Sequence, residues 1–334
     1  METTMRKAVT IRPIEPGDVP AAARLWTARL EQFAGDTPDL IAAWSGGELV
    51  ESFIASHARS TSGVVATRDD SLIGYLLYDR FPFHGEDGAF MPIVGHARAT
   101  GVHASLYELM YREVARSLVA SGCISHFLTC FTADTELRQV VFELGFGLYV
   151  VDAFRSAELP VDVRPAETRA TIRQATANDA AALYELLVEF DGHYRASPLF
   201  LVREMESVDD VADCITIENG AVFVAEVDGS IVGFENVVIA DESSPITLVP
   251  EGAGAIEPLG AYVRPAFRGQ GIAGMLLEAA RVWCVGRGGT LMHVDFESAN
   301  LEARAFWPRE FRPVLDSVHR RLNQDARRAE SATG

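Results

Sequence analysis

The spacing of apolar and polar positions along the chain repeats itself. Thr10-Ile11-Arg12 predicts a strand and is followed by Asp18 and an Ala-rich apolar helix; Thr171-Ile172-Arg173 is followed by Asp179 and another. Both offsets are 161 residues. In each copy the Asp stands where a helix N-cap belongs, with a carboxylate to accept from free backbone N–H groups. Ala66, Asp69, Ser71 and Gly74 recur 159 residues later as Ala225, Asp228, Ser230 and Gly233. Each set predicts a hairpin turning on its Asp, and Asp228-Gly229 is a strong turn signal. Phe131 and Phe146 recur as Phe296 and Phe311, offset by 165. The drift in offset is what loop insertions produce. Each copy reads strand, one or two helices, hairpin, strand, helix, strand, helix, strand. That order predicts an α/β chain of two tandem domains, each a mixed sheet flanked by helices. The expected bounds are 8–158 for the first copy, a Pro-, Glu- and Arg-bearing linker over 159–169, 170–322 for the second copy, and a polar, disordered tail over 323–334.

The richest pattern lies between Ala255 and Gly289. Ala255 to Val263 predicts a strand, and Arg264-Pro265-Ala266-Phe267-Arg268-Gly269-Gln270-Gly271 follows it. Then Ile272, Met275, Leu276, Ala279, Val282 and Trp283 fall on one face of a helix that ends at Gly286-Arg287-Gly288-Gly289. A strand running into a Gly-rich turn at a helix N-terminus is an anion site. The glycines admit close approach, free N–H groups point at the ligand, and the helix dipole favours negative charge. Arg268 adds a positive charge. Neither G-x-x-x-x-G-K-[ST] nor G-x-G-x-x-G is present in this segment.

The loop resembles the pyrophosphate motif [Q/R]-x-x-G-x-[G/A] of the GNAT superfamily of acyl-CoA N-acyltransferases, through Arg268, Gly271 and Ala273. The order of elements over about 170–322 is similar too. The resemblance implies acetyl-CoA as co-substrate. Its pyrophosphate would lie on Arg268, Gly269, Gln270, Gly271, Ile272, Ala273 and Gly274. Its pantetheine arm would bond the backbone from Gly260 through Ala261 and Tyr262 to Val263, and the strand Thr290 to Ser298 would splay away to admit the acyl group. The family helix N-x-x-A-x-x-[FL]-Y is matched by Asn300, Ala303 and Phe306, but Trp307 stands where the family usually has Tyr. That Tyr protonates the departing thiolate, whereas an indole N–H donates without titrating. The first copy lacks the motif. Pairing Gly122 with Gly286 puts Tyr107 opposite Gly271 and Leu109 opposite Ala273, so this copy is expected to be a degenerate, structural or acceptor-shaping domain.

The resemblance also implies a base for the attacking amine: a glutamate eleven residues before the first motif residue, which here is Glu257. On the following strand His293, Asp295 and Glu297 alternate with Met292, Val294 and Phe296, which makes His293 a second proton carrier to consider. Phe190-Asp191-Gly192-His193-Tyr194 is expected as a loop that shapes the acceptor pocket.

Composition narrows the partners. The 334 residues carry 29 Lys and Arg against 47 Asp and Glu, a net charge of −18. Such a field repels nucleic acid and anionic membranes, and draws cations. The four cysteines form no C-x-x-C pair, and no metal site is expected. Without an apolar leader or a membrane-length apolar run, a cytoplasmic enzyme is expected. The reading is N-acetyl transfer from acetyl-CoA to a small-molecule amine by direct attack in a ternary complex. The alternative is a non-catalytic acyl-CoA-binding or regulatory protein, which Trp307 favours. The acceptor and the oligomeric state stay open.

Overall fold

The computed structural model describes residues 8–34, 37–45, 47–163, 169–202, 207–323 and 325. Most of the expected tail and the middle of the expected linker lie outside these. The first half runs β1 (Thr10–Pro13), α1 (Val19–Phe33), α2 (Pro38–Trp44), α3 (Glu48–Ser60), β2 (Gly63–Arg68), β3 (Ser71–Leu77), β4 (Asp79–Phe83), β5 (Glu86–Met91), β6 (His96–Arg98), α4 (Leu106–Ala120), β7 (Ser125–Phe131), α5 (Thr135–Glu143) and β8 (Gly147–Ser156). The second runs β9 (Thr171–Gln174), α6 (Ala180–Arg195), α7 (Val208–Thr216), β10 (Gly220–Val227), β11 (Ser230–Ile239), β12 (Gly254–Ala255), β13 (Ala261–Val263), α8 (Ile272–Gly286), β14 (Leu291–Glu297), α9 (Leu301–Glu310) and β15 (Arg312–Arg321). This is the α/β class expected, with mixed sheets flanked by helices. No helix among the described residues is long and apolar enough to cross a membrane.

The sequence repeat has a physical counterpart. Arg12 pairs with both oxygens of Asp18 at 2.7 Å, and Arg173 pairs with Asp179 at 2.8 and 2.9 Å. Each carboxylate also accepts from the backbone N–H three residues before it, Glu15 or Thr176. The two Asp side chains therefore close a short 3-10 turn and bind an arginine; they do not cap the α-helix that follows. The hairpins β2–β3 and β10–β11 carry matching bulges, between Ala66 and Thr67 and between Ala225 and Glu226.

Two compact units result, and they do not follow the 8–158 and 170–322 segments. One holds Met1–Val151, Ser244–Leu248 and Val314–Gly334; the other holds Asp152–Ser243 and Val249–Pro313. Pairing gives the reason. β15 is laddered antiparallel to β7, from Leu315 opposite Phe131 to Arg321 opposite Ser125. The Trp44 indole N–H donates to the Leu248 carbonyl at 2.9 Å and ties that short segment to the first unit.

In the second unit β9, β10 and β11 form an antiparallel sheet. Leu183, Leu186 and Phe190 of α6 and Val211 and Ile215 of α7 bury against Val222, Val224 and Phe234, each full burial contributing about 1.5–3 kcal/mol. Strand alternation then turns Glu235 to the opposite face, the face on which α8 packs. The buried side of α8 is Ile272, Leu276, Leu277, Ala280 and Cys284. It is rotated from the expected stripe, leaving Met275, Ala279, Val282 and Trp283 on a shallow apolar groove with Phe223.

Candidate active site

The strand predicted over Ala255–Val263 is broken. β12 pairs antiparallel with β11 and parallel with β14, with Ala255 opposite His293. The Ile256 N–H still reaches the His293 carbonyl at 3.0 Å. Beyond that point β13 pairs with β11 alone among the described ladders. Pro258 has no N–H to offer a neighbour, and Gly260 takes φ +78°. Asn236 holds the break: its Oδ1 accepts from the Leu259 N–H at 3.1 Å, and its own N–H donates to the Gly260 carbonyl at 2.9 Å. The Gly260 carbonyl and the Arg264 N–H both turn toward β11. Ladder alternation therefore turns the polar groups of Ala261 and Val263 the other way, into the gap beside β14.

A cleft of about 1810 Å³ occupies that gap. Ala261, Tyr262, Val263, Arg268, Gly269, Gln270, Gly271, Ile272, Ala273, Gly274, Asn300, Phe306 and Trp307 all line it, as does Glu257. Gly269 and Gly271 have φ of +77° and +80°, a region that favours glycine. Gly271 caps α8, and the first helical bond runs from the Met275 N–H to its carbonyl at 3.1 Å. The N–H groups of Ile272, Ala273 and Gly274 thus have no acceptor within the helix, at its positive end.

Arg268, expected on the pyrophosphate, lines the cleft and also bonds protein groups. Its Nε donates to the Val263 carbonyl at 2.9 Å, an Nη1 reaches Glu302 at 3.3 Å, and the guanidinium lies 5.6 Å from the Tyr262 ring centre. It straps loop, strand and α9 together at the cleft mouth. Asn300 caps α9 by accepting from the Ala303 N–H at 3.2 Å. Trp307 is buried, its ring 5.5 Å from that of Phe311.

The proton-carrying candidates separate. Glu257 is solvent-accessible in the break between β12 and β13, so it lies on no strand. His293 is buried at 3 % exposure and is absent from the cleft lining. Its Nε2 lies 3.0 Å from Asp152 Oδ1. Burial favours the neutral ring, but the Asp152 hydrogen bond and the charges of Asp152, Asp295 and Glu257 prevail and hold its pKa above the ordinary value. Asp295 does reach the cleft. Solvent touches it from inside the cleft while protein encloses it elsewhere. Desolvation first, then Asp152, Glu297 and Glu257, raise its pKa to about 6 against the pull of His293. The expected acceptor loop is helical: α6 runs to Arg195. Its Phe190 packs on Tyr262 with ring centres 5.2 Å apart, burial that outweighs the roughly 1 kcal/mol helix cost of Gly192. Phe190, His193 and Tyr194 still line the cleft, and the Tyr194 hydroxyl donates to Glu297 at 2.8 Å.

One cleft residue escaped sequence reasoning. Glu235 is 1 % exposed, lines the cleft, and its Oε1 has no hydrogen-bond partner. Burial pushes its pKa well above the carboxylate range, opposed by Arg155. The available signal was a lone acid inside the apolar strand Ile231–Ile239.

In the first unit the corresponding place is filled. α4 begins at Leu106 and α8 at Ile272, so Ser105, and not Tyr107, stands opposite Gly271. Ser105 has φ −57°, with no left-handed turn. Tyr107 faces inward instead, its hydroxyl 2.8 Å from His96 Nδ1. His96 Nε2 donates to the Thr129 carbonyl at 2.7 Å and so bridges β6 to β7. Arg29 Nη1 lies 3.0 Å from the same ring, and all three side chains are buried.

Residues 180–311 match the model of the Acetyltransferase (GNAT) family. Among solved structures, the chain is similar to a GCN5-related N-acetyltransferase from Sphaerobacter thermophilus at 16 % identity and TM-score 0.57, covering 94 % of this chain and 95 % of that one. It is also similar to the structure of a GCN5-related glucosamine N-acetyltransferase region of a fungal multi-domain β-N-acetylglucosaminidase at 12 % identity and TM-score 0.52, covering 96 % of this chain and 39 % of that one. At these identities the likeness is one of fold, and it extends over both halves. No curated protein sequence matches the chain significantly.

Proposed function

We propose that the second unit binds acetyl-CoA in its cleft and transfers the acetyl group to the amine of a small molecule, by direct attack in a ternary complex. The observation that carries this reading is the parting of β13 from β14 beside a glycine-started helix, within the segment that matches an acetyltransferase family. The residues fit the coenzyme. The N–H groups of Ile272, Ala273 and Gly274 suit a pyrophosphate, and the gap-facing polar groups of Ala261 and Val263 suit the amides of a pantetheine arm. When bound, the coenzyme supplies an acyl carbon activated as a thioester. Glu257, Asp295 and Glu297 give the cleft a negative wall, which suits a cationic amine. Glu257, solvent-linked, takes the proton from the attacking nitrogen. The first unit holds no coenzyme, because His96 and Tyr107 occupy the place where the cleft would open.

Isothermal titration with acetyl-CoA tests this. One site per chain is expected. Arg268→Glu should lose at least about 2 kcal/mol of affinity, because it breaks the strap to Val263 and sets a carboxylate beside Glu302. Two sites per chain, or unchanged affinity in the variant, would overturn the assignment.

A further inference from the structure

Resting on the acyl-transfer reading above, we propose that Glu235 is the acid that protonates the departing coenzyme thiolate. Breaking a thioester releases sulfur with an extra electron pair, and Trp307, the cleft-lining α9 residue that stands where the resembled family usually has Tyr, cannot titrate. Glu235 is placed for that duty. It stands opposite Ala261 in the β11–β13 ladder, beside the gap that the thioester would enter. Its carboxyl is buried, lines the cleft, and leaves Oε1 unpartnered.

The face of the sheet matters. Phe234 packs toward α6, as does Tyr262, which lies on Phe190, and the cleft's other tyrosine, Tyr194, belongs to α6 itself. Glu235 points the other way. Arg155, whose charge acts on Glu235, lies 5.7 Å from the Phe311 ring centre, and Phe311 is 5.5 Å from Trp307. Glu235, Arg155 and Trp307 all line the cleft.

Burial favours the protonated carboxyl, and the Arg155 charge opposes it. Phe223 and Ala261 flank it from β10 and β13 without charge. Glu310 from α9 bonds Arg155 at 3.3 Å, and Glu278 and Arg281 from α8 also act on Arg155.

The step balances. The amine nitrogen bonds the thioester carbon, the C–S bond breaks, and its electron pair goes to sulfur. Sulfur takes the Glu235 proton, and the Arg155 charge favours the carboxylate that remains. The surplus proton on nitrogen leaves through Glu257 to solvent, and Glu235 regains one from solvent once the thiol departs.

The test compares pH–rate profiles and acetyl-CoA titrations of wild type, Glu235→Gln and Glu235→Asp, with an amine that wild type acetylates. In wild type, kcat falls as pH rises through the Glu235 pKa. Glu235→Gln should keep acetyl-CoA affinity, lose about 10²–10⁴-fold in kcat, and lose that basic limb. Glu235→Asp should retain the limb at an intermediate rate. If Glu235→Gln fails to fold, Glu235→Asp decides alone, and a wild-type rate in it overturns the proposal. Wild-type kcat in Glu235→Gln, or weakened coenzyme binding with the basic limb intact, also overturns it. A wild type that binds acetyl-CoA but acetylates no amine refutes the acyl-transfer reading itself, and the proposal falls with it.

Discussion

Replacing Gly271 by Ala isolates the part played by the helix start. Gly271 sits at φ +80° and ψ 0° as the N-cap of α8. An L-residue held there costs about 1–2 kcal/mol, because its Cβ crowds the following carbonyl. The chain has two responses. It keeps the turn and carries the strain, or it relaxes toward the right-handed start that Ser105 gives α4, at φ −57°. Relaxation swings the first N–H groups off their common direction. If the bound anion needs the present geometry, the relaxed form binds poorly, and holding the turn costs about 1–2 kcal/mol of binding, roughly 5–30-fold in Kd. Gly229→Ala is the control. Gly229 has φ +79° in the β10–β11 turn, and a Cβ there meets nothing within 4 Å. Strain at that hairpin is similar, but it is not a cleft residue. Relaxation sheds the strain in the free protein, so urea unfolding should show less destabilisation in Gly271→Ala than in Gly229→Ala, while calorimetric titration with acetyl-CoA shows weakening only in Gly271→Ala. Equal affinity in the two variants, with Gly271→Ala the less destabilised, would refute the assignment of the α8 N-terminus as the anion site.

Three further outcomes are expected. Trp307→Phe should keep most turnover with acetyl-CoA, and Trp307→Ala should accept longer acyl groups; a loss of about 10³-fold in the Phe variant, with binding intact, would give the indole N–H a catalytic part. Because the folded-state pKa of His293 is raised, its pairing stabilises fully below the unfolded value near ~6.5 and fades as pH rises through the folded value. His293→Gln should therefore destabilise by more in urea at pH 6 than at pH 9, and an equal loss at both would show that the ring acts by packing alone. Asp295 is also raised, to about 6, so its charged form is penalised above that pH. The shift has a ceiling of about 3 kcal/mol, which solvent in the cleft reduces to about 1 kcal/mol, and Asp295→Asn should stabilise by that amount at pH 7 and by nothing at pH 3.

Much of the fold was legible because the repeat encodes physical couplings. The Arg12–Asp18 and Arg173–Asp179 pairs and the two Asp turns are local, so their residues recur at fixed spacing. The glycines of the α8 turn were legible for the same reason, since positive φ within a short motif restricts residue choice. What escaped depends on contacts distant in sequence. One partner of β15 is β7, nearly two hundred residues earlier, and no local pattern specifies that ladder. Gly192 and the polar run around it looked like a loop until Phe190 found Tyr262 and Phe234. His293 alternates with apolar neighbours as a cleft residue would, yet Asp152, 141 residues away, draws it into the interior. Glu235 was hidden because a single acid in an apolar strand gives no spacing to read.

Acyl transfer in the second unit's cleft is the central claim. The direct measurement is release of free thiol from acetyl-CoA on addition of a panel of small amines, with Glu257→Gln run in parallel. Amine-dependent thiol release is expected from wild type, strongest with cationic acceptors, and reduced about 10²–10⁴-fold at neutral pH in Glu257→Gln without loss of coenzyme affinity. Tight acetyl-CoA binding with no amine-dependent release would contradict catalysis and mark the cleft as a coenzyme-binding site only.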